Sequence, residues 1–421
     1  MNRKQLLPIF IIVFVDLLGF SLILPLLPYY AETFGASATI IGLLVASYAA
    51  ASLIGAPLLG RLSDRFGRRP ILLVSVIGTF LGFLLLGFAD PIGRTITAWF
   101  SLPSENVTIM GVLFFSRILD GLTGGNITVA QAYISDLTDQ KNRAKGLGLI
   151  GAAFGLGFII GPALGGFLSK WGYSTPAFIA AGLGFINLIA IYFWLPESLS
   201  VQNREVSKSN LPPGVTLTAL MQALKRPVVG PLLLVRFFFG MAFATLQSIF
   251  ALYAQTKLNL SAQTTGYVLA YVGVLSVLMQ GIGIGFLVKK FTENQLIITG
   301  LWLMTFGLVG WAFTPNLAVL LIVMLPLALA GGMLNTIINS AISKKVAVDE
   351  IGGMLGISAS LESATRVISP SVGGYLLQQL GAWAPGIFSA ILMGWAVWFA
   401  YRRIILIKEP SLSVSKENTN A

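Results

Sequence analysis

Residues 160–166 read Ile160-Gly-Pro-Ala-Leu-Gly-Gly166 and residues 368–374 read Ile368-Ser-Pro-Ser-Val-Gly-Gly374, so Ile160, Pro162, Gly165 and Gly166 recur as Ile368, Pro370, Gly373 and Gly374 at a constant offset of 208. Each copy sits in a long apolar stretch, the fifth and the eleventh of twelve. The twelve run near 6–29, 40–60, 70–89, 108–134, 146–168, 174–195, 228–255, 264–287, 295–313, 316–342, 353–376 and 383–406. A bilayer core takes roughly 20 apolar helical residues, so each stretch is predicted to span a membrane. A repeat at the same ordinal place in each half points to a duplicated six-helix unit. The expected fold is an all-α integral membrane protein of twelve transmembrane helices in two pseudo-symmetric six-helix bundles. The longest polar stretch, Pro196 to Pro227, is the expected linker. The predicted domains are 1–195, a cytoplasmic linker 196–227, a second bundle 228–407 and a tail 408–421.

Composition agrees: 56% of residues are hydrophobic and 10% charged, with a mean hydropathy of +0.84. Soluble domains carry about a quarter charged residues. The net charge of +11 is spread by topology rather than gathered on one face as a nucleic-acid binder would gather it. Of the 27 Lys and Arg, 21 fall in alternate gaps, only Arg94, Lys170 and Lys257 on the other side, and three inside spans. The positive-inside rule then places both termini in the cytoplasm of a multi-pass protein of the cell (inner) membrane. Residues 6–29 hold Asp16 and lack a small-x-small cleavage site, so they read as a retained first helix. The chain has no Cys and no His. No metal or other cofactor is expected, and any proton coupling must use carboxylates.

Within the fifth span Gly157, Gly161 and Gly165 recur every four residues, a smooth stripe kept in the eleventh as Thr365, Ser369 and Gly373. Small stripes let helix backbones approach closely. The stripe serves either static packing or a sliding surface between the bundles.

After the second span comes Gly60-Arg-Leu-Ser-Asp-Arg-Phe-Gly-Arg-Arg-Pro70. Gly60 suits a close backbone contact, Asp64 an anion facing the positive N-terminus of another helix, and Arg65, Arg68 and Arg69 a basic anchor. This loop, with Gly67, resembles the signature loop of the major facilitator superfamily, which implies a gating role. Asp64 is expected near the start of helix eleven, by Gly352 and Gly353. The counterpart Gly285-Phe-Leu-Val-Lys-Lys-Phe291 lacks the central acid. Further stretches resemble the drug:proton antiporter branch and its tetracycline-efflux proteins: Asp16 to Pro28, Arg117 to Gly125, Ser135 to Lys145, Leu195 to Ser198, and Gly157 to Gly166 with Pro162, similar to the antiporter motif. The tetracycline exporters it resembles place acids in helices three and nine, where these spans have none.

Six charges lie deep within spans: Asp16, Arg117, Asp120, Arg236, Glu362 and Arg366. Intramembrane charges cost ~2.5–3.5 kcal/mol each and normally pair or face water, which makes them functional candidates. Arg117 and Asp120, three apart, and Glu362 and Arg366, four apart, each share a helix face. Asp16 has no local partner, and Val15-Asp16 matches Val235-Arg236 in the second half, so Asp16 and Arg236 are expected to oppose each other across a central cavity. Proton coupling is assigned to Asp16, Asp120, Arg117, Glu362 and Arg366. The cavity is assigned to Arg236, Gln131, Gln247, Asn335, Asn339 and Tyr30, a lining of amides and aromatics suited to an amphipathic organic solute.

The expected activity is export of a small amphipathic compound in exchange for protons by a monomer, with no nucleic-acid partner. A symporter or uniporter of a metabolite and a non-transporting receptor or scaffold are the rival readings. No nucleophile–base set or cofactor loop is present, so an enzyme is not expected.

Overall fold

The computed structural model describes residues 3–138, 140–199, 217–347 and 350–405, and all regular structure among them is helical. Twelve rods follow in order. They are α1 (Arg3–Ile23), α2 (Ala38–Phe66), α3 (Arg68–Gly87), α4 (Glu105–Thr123 continued by Asn126–Leu137), α5 (Gln140–Leu168), α6 (Ser174–Trp194) and α7 (Val229–Leu258). Then come α8 (Ala262–Leu278, continued through a π turn at Met279–Gly283 into Ile284–Lys290), α9 (Glu293–Ala312), α10 (Leu317–Lys344), α11 (Ile351–Leu380) and α12 (Ala384–Ala400). Residues 200–216 of the expected linker and 406–421, which include the expected tail, fall outside the described residues.

Ten of the rods are long and apolar enough to cross a membrane. The other two are α1, whose apolar part is the shorter Leu7–Ile23, and α11, which carries Glu362, Arg366 and a run of serines. The expected uninterrupted fourth span is broken at Gly124–Gly125, and the eighth carries the π turn. Helix starts are written into the sequence. Ser37, Ser104, Ser261 and Asn316 accept a backbone N–H at the heads of α2, α4, α8 and α10, and Thr292 with Gln295 forms a capping box on α9. Only Gly67, at φ 107°, separates α2 from α3. Residues with a Cβ avoid that region, which fixes glycine there.

In the first half α1 packs on α5 and α6, α2 on α4, and α3 on α4 and α6; in the second, α7 packs on α11 and α12 and α9 on α10 and α12. Two crossings join the halves, α2 with α11 and α5 with α8. They are equivalent under the repeat. A Cβ on Gly42 would lie 2.2 Å from the Pro370 carbonyl oxygen, and a Cβ on Gly266 would lie 2.2 Å from that of Pro162. Gly374 and Gly166 lie beside them, against Ala38 and Ala262.

Both crossings lie toward one end of the molecule, where further bonds join the halves. The Tyr29 hydroxyl donates to the Leu260 carbonyl at 3.0 Å and shares a 2.7 Å hydrogen bond with Thr265, the Thr39 amide donates to Gln378 at 3.1 Å, and Gln255 donates to Glu32. At the opposite end, which carries the Gly60–Pro70 loop, a Cβ on Gly352 or Gly353 would meet no atom within 4 Å. Among the described residues, the halves are therefore closed at the far end and apart at the loop end. Outside the spans, Arg226 grips Glu350 with two bonds of 2.7 and 2.8 Å at the head of α11, and this guanidinium holds the carboxyl below its ordinary range.

Candidate functional site

Two charge clusters and an aromatic wall occupy the middle of the molecule. In the first half Arg117 Nη1 lies 3.2 Å from Asp120 Oδ2, one turn away on α4, and both side chains are only 3% exposed. Arg117 also lies 5.5 Å from the centre of the Phe83 ring. Among the described residues, Nε and Nη2 of Arg117 and Oδ2 of Asp120 have no hydrogen-bond partner, so the pair attracts by charge rather than by aligned hydrogen bonds. Asp16 on α1 lines a cavity of ≈ 10 Å³ with Asn126 of α4, Asn187 of α6 and apolar side chains including Ile12 and Val76. That is about the room one water needs. Asp120 lies within electrostatic range of Asp16. All members belong to the first half.

In the second half Glu362 on α11 accepts from both Arg236 of α7 and Arg366 of its own helix, the latter at 2.7 Å. Arg236 is buried, 5.8 Å from the centre of the Phe239 ring, whereas the Arg366 side chain is 54% exposed. The expected opposition of Asp16 and Arg236 is corrected: Arg236 is taken up by Glu362, 126 residues away in sequence, and Asp16 lies inside the first bundle. Complementarity survives at the level of clusters. With every group ionised, Asp16, Arg117 and Asp120 carry one net negative charge, and Arg236, Glu362 and Arg366 one net positive.

Between them stands the wall. The Phe20 ring of α1 lies 5.0 Å from Tyr48 of α2 and 6.3 Å from Phe158 of α5, which stacks on Phe154 at 4.7 Å. Tyr48 is within electrostatic range of Asp120, Asp16 and Arg117 and, from the other half, Arg366. Tyr48 and the three phenylalanines were not among the expected site residues, because ring contacts across three helices leave no spacing signal.

The expected cavity residues scatter. Asn335 and Asn339 are half-buried on α10, and Asn339 accepts from Ser358 of α11 at 3.1 Å. Gln131 and Gln247 are exposed. Tyr30 is corrected: it is buried in the short helix Leu27–Glu32, its ring 5.4 Å from Phe34 and 6.5 Å from Tyr173.

The loop after α2 is built around Arg68, which binds Asp64 at 2.5 Å, Asp136 at 3.0 Å and the Ser63 hydroxyl at 2.8 Å. Asp64 thus serves Arg68 here rather than the head of α11, since the halves are parted at this end. Among the described residues Gly60 makes no tight contact, and a Cβ there would meet only Thr128 at 3.5 Å. Arg65 lies over the Phe66 ring, and Arg69 donates to the Tyr192 carbonyl at 2.5 Å. Glu197, in the resemblance but not among the predicted site residues, accepts the backbone amides of Arg68 and Arg69 at 2.9 and 3.3 Å. An anion there meets the positive end of α3. Glu197→Gln keeps the shape and loses the charge, so thermal unfolding in detergent should show a loss of about 1 kcal/mol.

The glycine stripe faces inward. Gly157, Gly161 and Gly165 admit Leu17, Ser21 and Leu22 of α1, and the Ser21 hydroxyl donates to the Gly157 carbonyl at 2.8 Å. Thr365, Ser369 and Gly373 face α7 likewise. Gly157, Gly161 and Gly165 of the stripe thus pack within the first bundle, while other members of the same motif, Phe158, Ile159, the Pro162 carbonyl and Gly166, meet α8 of the other half.

Comparison with known proteins agrees with this architecture. The Major Facilitator Superfamily profile matches residues 9–298 and 232–419. The tetracycline resistance protein, class B, of Escherichia coli is 29% identical over 98% of both chains. Multidrug resistance protein 2 of Bacillus subtilis is 29% identical over 90% of both. The solved nucleoside transporter NupG superposes with a TM-score of 0.72 over 96% of this chain and all of its own, at 14% identity, and so speaks for the fold alone. With twelve helical rods in two repeated halves, parted at one end around a charged centre, this chain is a transporter rather than an enzyme and belongs to the Major Facilitator Superfamily.

Proposed function

We propose that this protein exports a small amphipathic compound, of the drug or tetracycline-like kind, in exchange for protons by alternating access. The observation that carries the reading is the aromatic wall between a buried acidic cluster and a cluster with an exposed guanidinium. Phe20, Tyr48, Phe154 and Phe158 offer apolar area to a ring system, and Arg366 offers a charged donor to a polar edge. The relatives named as tetracycline and multidrug resistance proteins support a solute of that chemistry. The bundles 1–195 and 228–407 rock about the α2–α11 and α5–α8 crossings, as a single chain without a partner subunit. The Asp64–Arg68 loop meets the head of α11 when the loop end closes.

Asp16 and Asp120 are the proposed proton carriers. Protonation removes the cost of a carboxylate in an apolar interior, and the chain has no histidine to share the task. Arg117 drives proton release from Asp120, and Glu362 is a second acid restrained by Arg366. Asp16→Asn should abolish uptake driven by a pH gradient in inverted vesicles while downhill exchange falls no more than a few-fold. Wild-type coupling in that variant would remove the proposal.

The loop end is the proposed cytoplasmic side of the cell membrane, with both termini there. Because the chain lacks cysteine, Asn106→Cys supplies a unique thiol. It should react with an impermeant maleimide added outside intact cells.

A further inference from the structure

At the loop end of the second half, residues 288–294 with Ser340, Lys344 and Lys345 line a cleft of ≈ 680 Å³. It is the repeat counterpart of the Arg68 site, with its charges exchanged. Asp64 and Arg68 correspond, 225 residues on, to Lys289 and Glu293, and Asp136, 208 residues on, to Lys344. Where Arg68 binds Asp136 at 3.0 Å across α3 and α4, Glu293 binds Lys344 at 2.7 Å across α9 and α10, and the Ser340 hydroxyl donates to Glu293 at 2.8 Å.

The exchanged charges are met differently in the two halves, since Arg68 reaches both of its acids in the first. Asp64 is neutralised by Arg68, but Glu293 is engaged by Lys344, and among the described residues Lys289 and Lys290 have no carboxylate partner. Lys289, Lys290, Lys344 and Glu293 together give the cleft walls a formal charge of +2. The head of α9 adds its positive end. Beside the cations stand apolar side chains: Phe286 is 64% exposed, Phe291 48% and Val288 47%. A soluble anion has no use for that flank, whereas a lipid places its phosphate among the lysines and its acyl chains along the phenylalanines.

We propose that this cleft binds the phosphate headgroup of an anionic lipid from the leaflet at the loop end. Basic pockets at membrane interfaces gain roughly fivefold in affinity for anionic lipid per cation. The test uses the full chain in nanodiscs of phosphatidylcholine with one-fifth phosphatidylglycerol, with the lipid retained after detergent extraction counted by native mass spectrometry. Lys289→Gln with Lys290→Gln should reduce phosphatidylglycerol retention about 25-fold. The matching arginine pair should retain it, and Lys170→Gln, at the far end, should change nothing. The double glutamine variant leaves the Glu293–Lys344 pair intact, and an unchanged thermal transition reports its folding. Equal retention by wild type and the glutamine variant would overturn the proposal. So would displacement of the lipid by millimolar soluble glycerol phosphate, which would make the site one for free anions.

Discussion

Arg117→Ala is expected to cost about 3–5 kcal/mol of stability and to abolish export, because it strands Asp120. Both partners are 3% exposed, so water cannot replace the lost cation. The carboxylate must then either stay charged in a low-dielectric setting or hold its proton throughout the cycle. Under the proposed proton exchange, a fixed proton ends turnover as surely as unfolding does. The two effects separate in the double variant Arg117→Leu with Asp120→Leu, since replacing both members of a buried pair with apolar groups is commonly neutral or stabilising. The double variant should recover the wild-type thermal transition in detergent while proton-driven transport stays at background. Recovery of transport along with stability would show the pair to be structural.

Gly266→Val is expected to fold, to bind substrate and to lose at least tenfold in turnover. Its Cβ would lie 2.2 Å from the Pro162 carbonyl oxygen, a backbone atom that no rotamer change can move aside. Over-packing costs about 1–3 kcal/mol when it falls in a fixed core. Under the proposed alternating access the cost falls on one arrangement, because the clash disappears when α5 and α8 part at the far end. A penalty of that size shifts the equilibrium roughly 5–150-fold toward far-end opening. Spin labels on Thr39→Cys and Gln378→Cys, at the other crossing, should report a longer mean distance in the variant. An unchanged distance with unchanged turnover would mean that the α5–α8 crossing does not close during transport.

Much of this was legible in the sequence, for reasons that differ by element. Hydropathy and alternate-gap charge revealed most of the rods, but α11 carries Glu362, Arg366 and serines, and the repeat at Ile368–Gly374 identifies it better than its apolarity. The Arg117–Asp120 and Glu362–Arg366 pairs were readable because helix geometry brings residues three and four apart together. Arg236 was not readable as the partner of Glu362, nor Glu197 as the cap of α3, because those contacts depend on how distant helices pack. The break at Gly124–Gly125 follows from two adjacent glycines, and only the contact of Gly125 with Leu59 shows why the chain bends there.

The far-end crossings meet glycine to carbonyl, main chain against main chain, and this loosens a constraint on descent. Where two halves meet through side chains, any change in the solute's chamber that shifts a neighbour also disturbs the seal. Here the tightest part of the seal depends on the absence of side chains at four glycines, with the Tyr29, Gln378 and Glu32 bonds beside it, and a lineage can exchange the rings and amides of its chamber while those glycines stay in place. A fold built so can keep one valve through many cargoes.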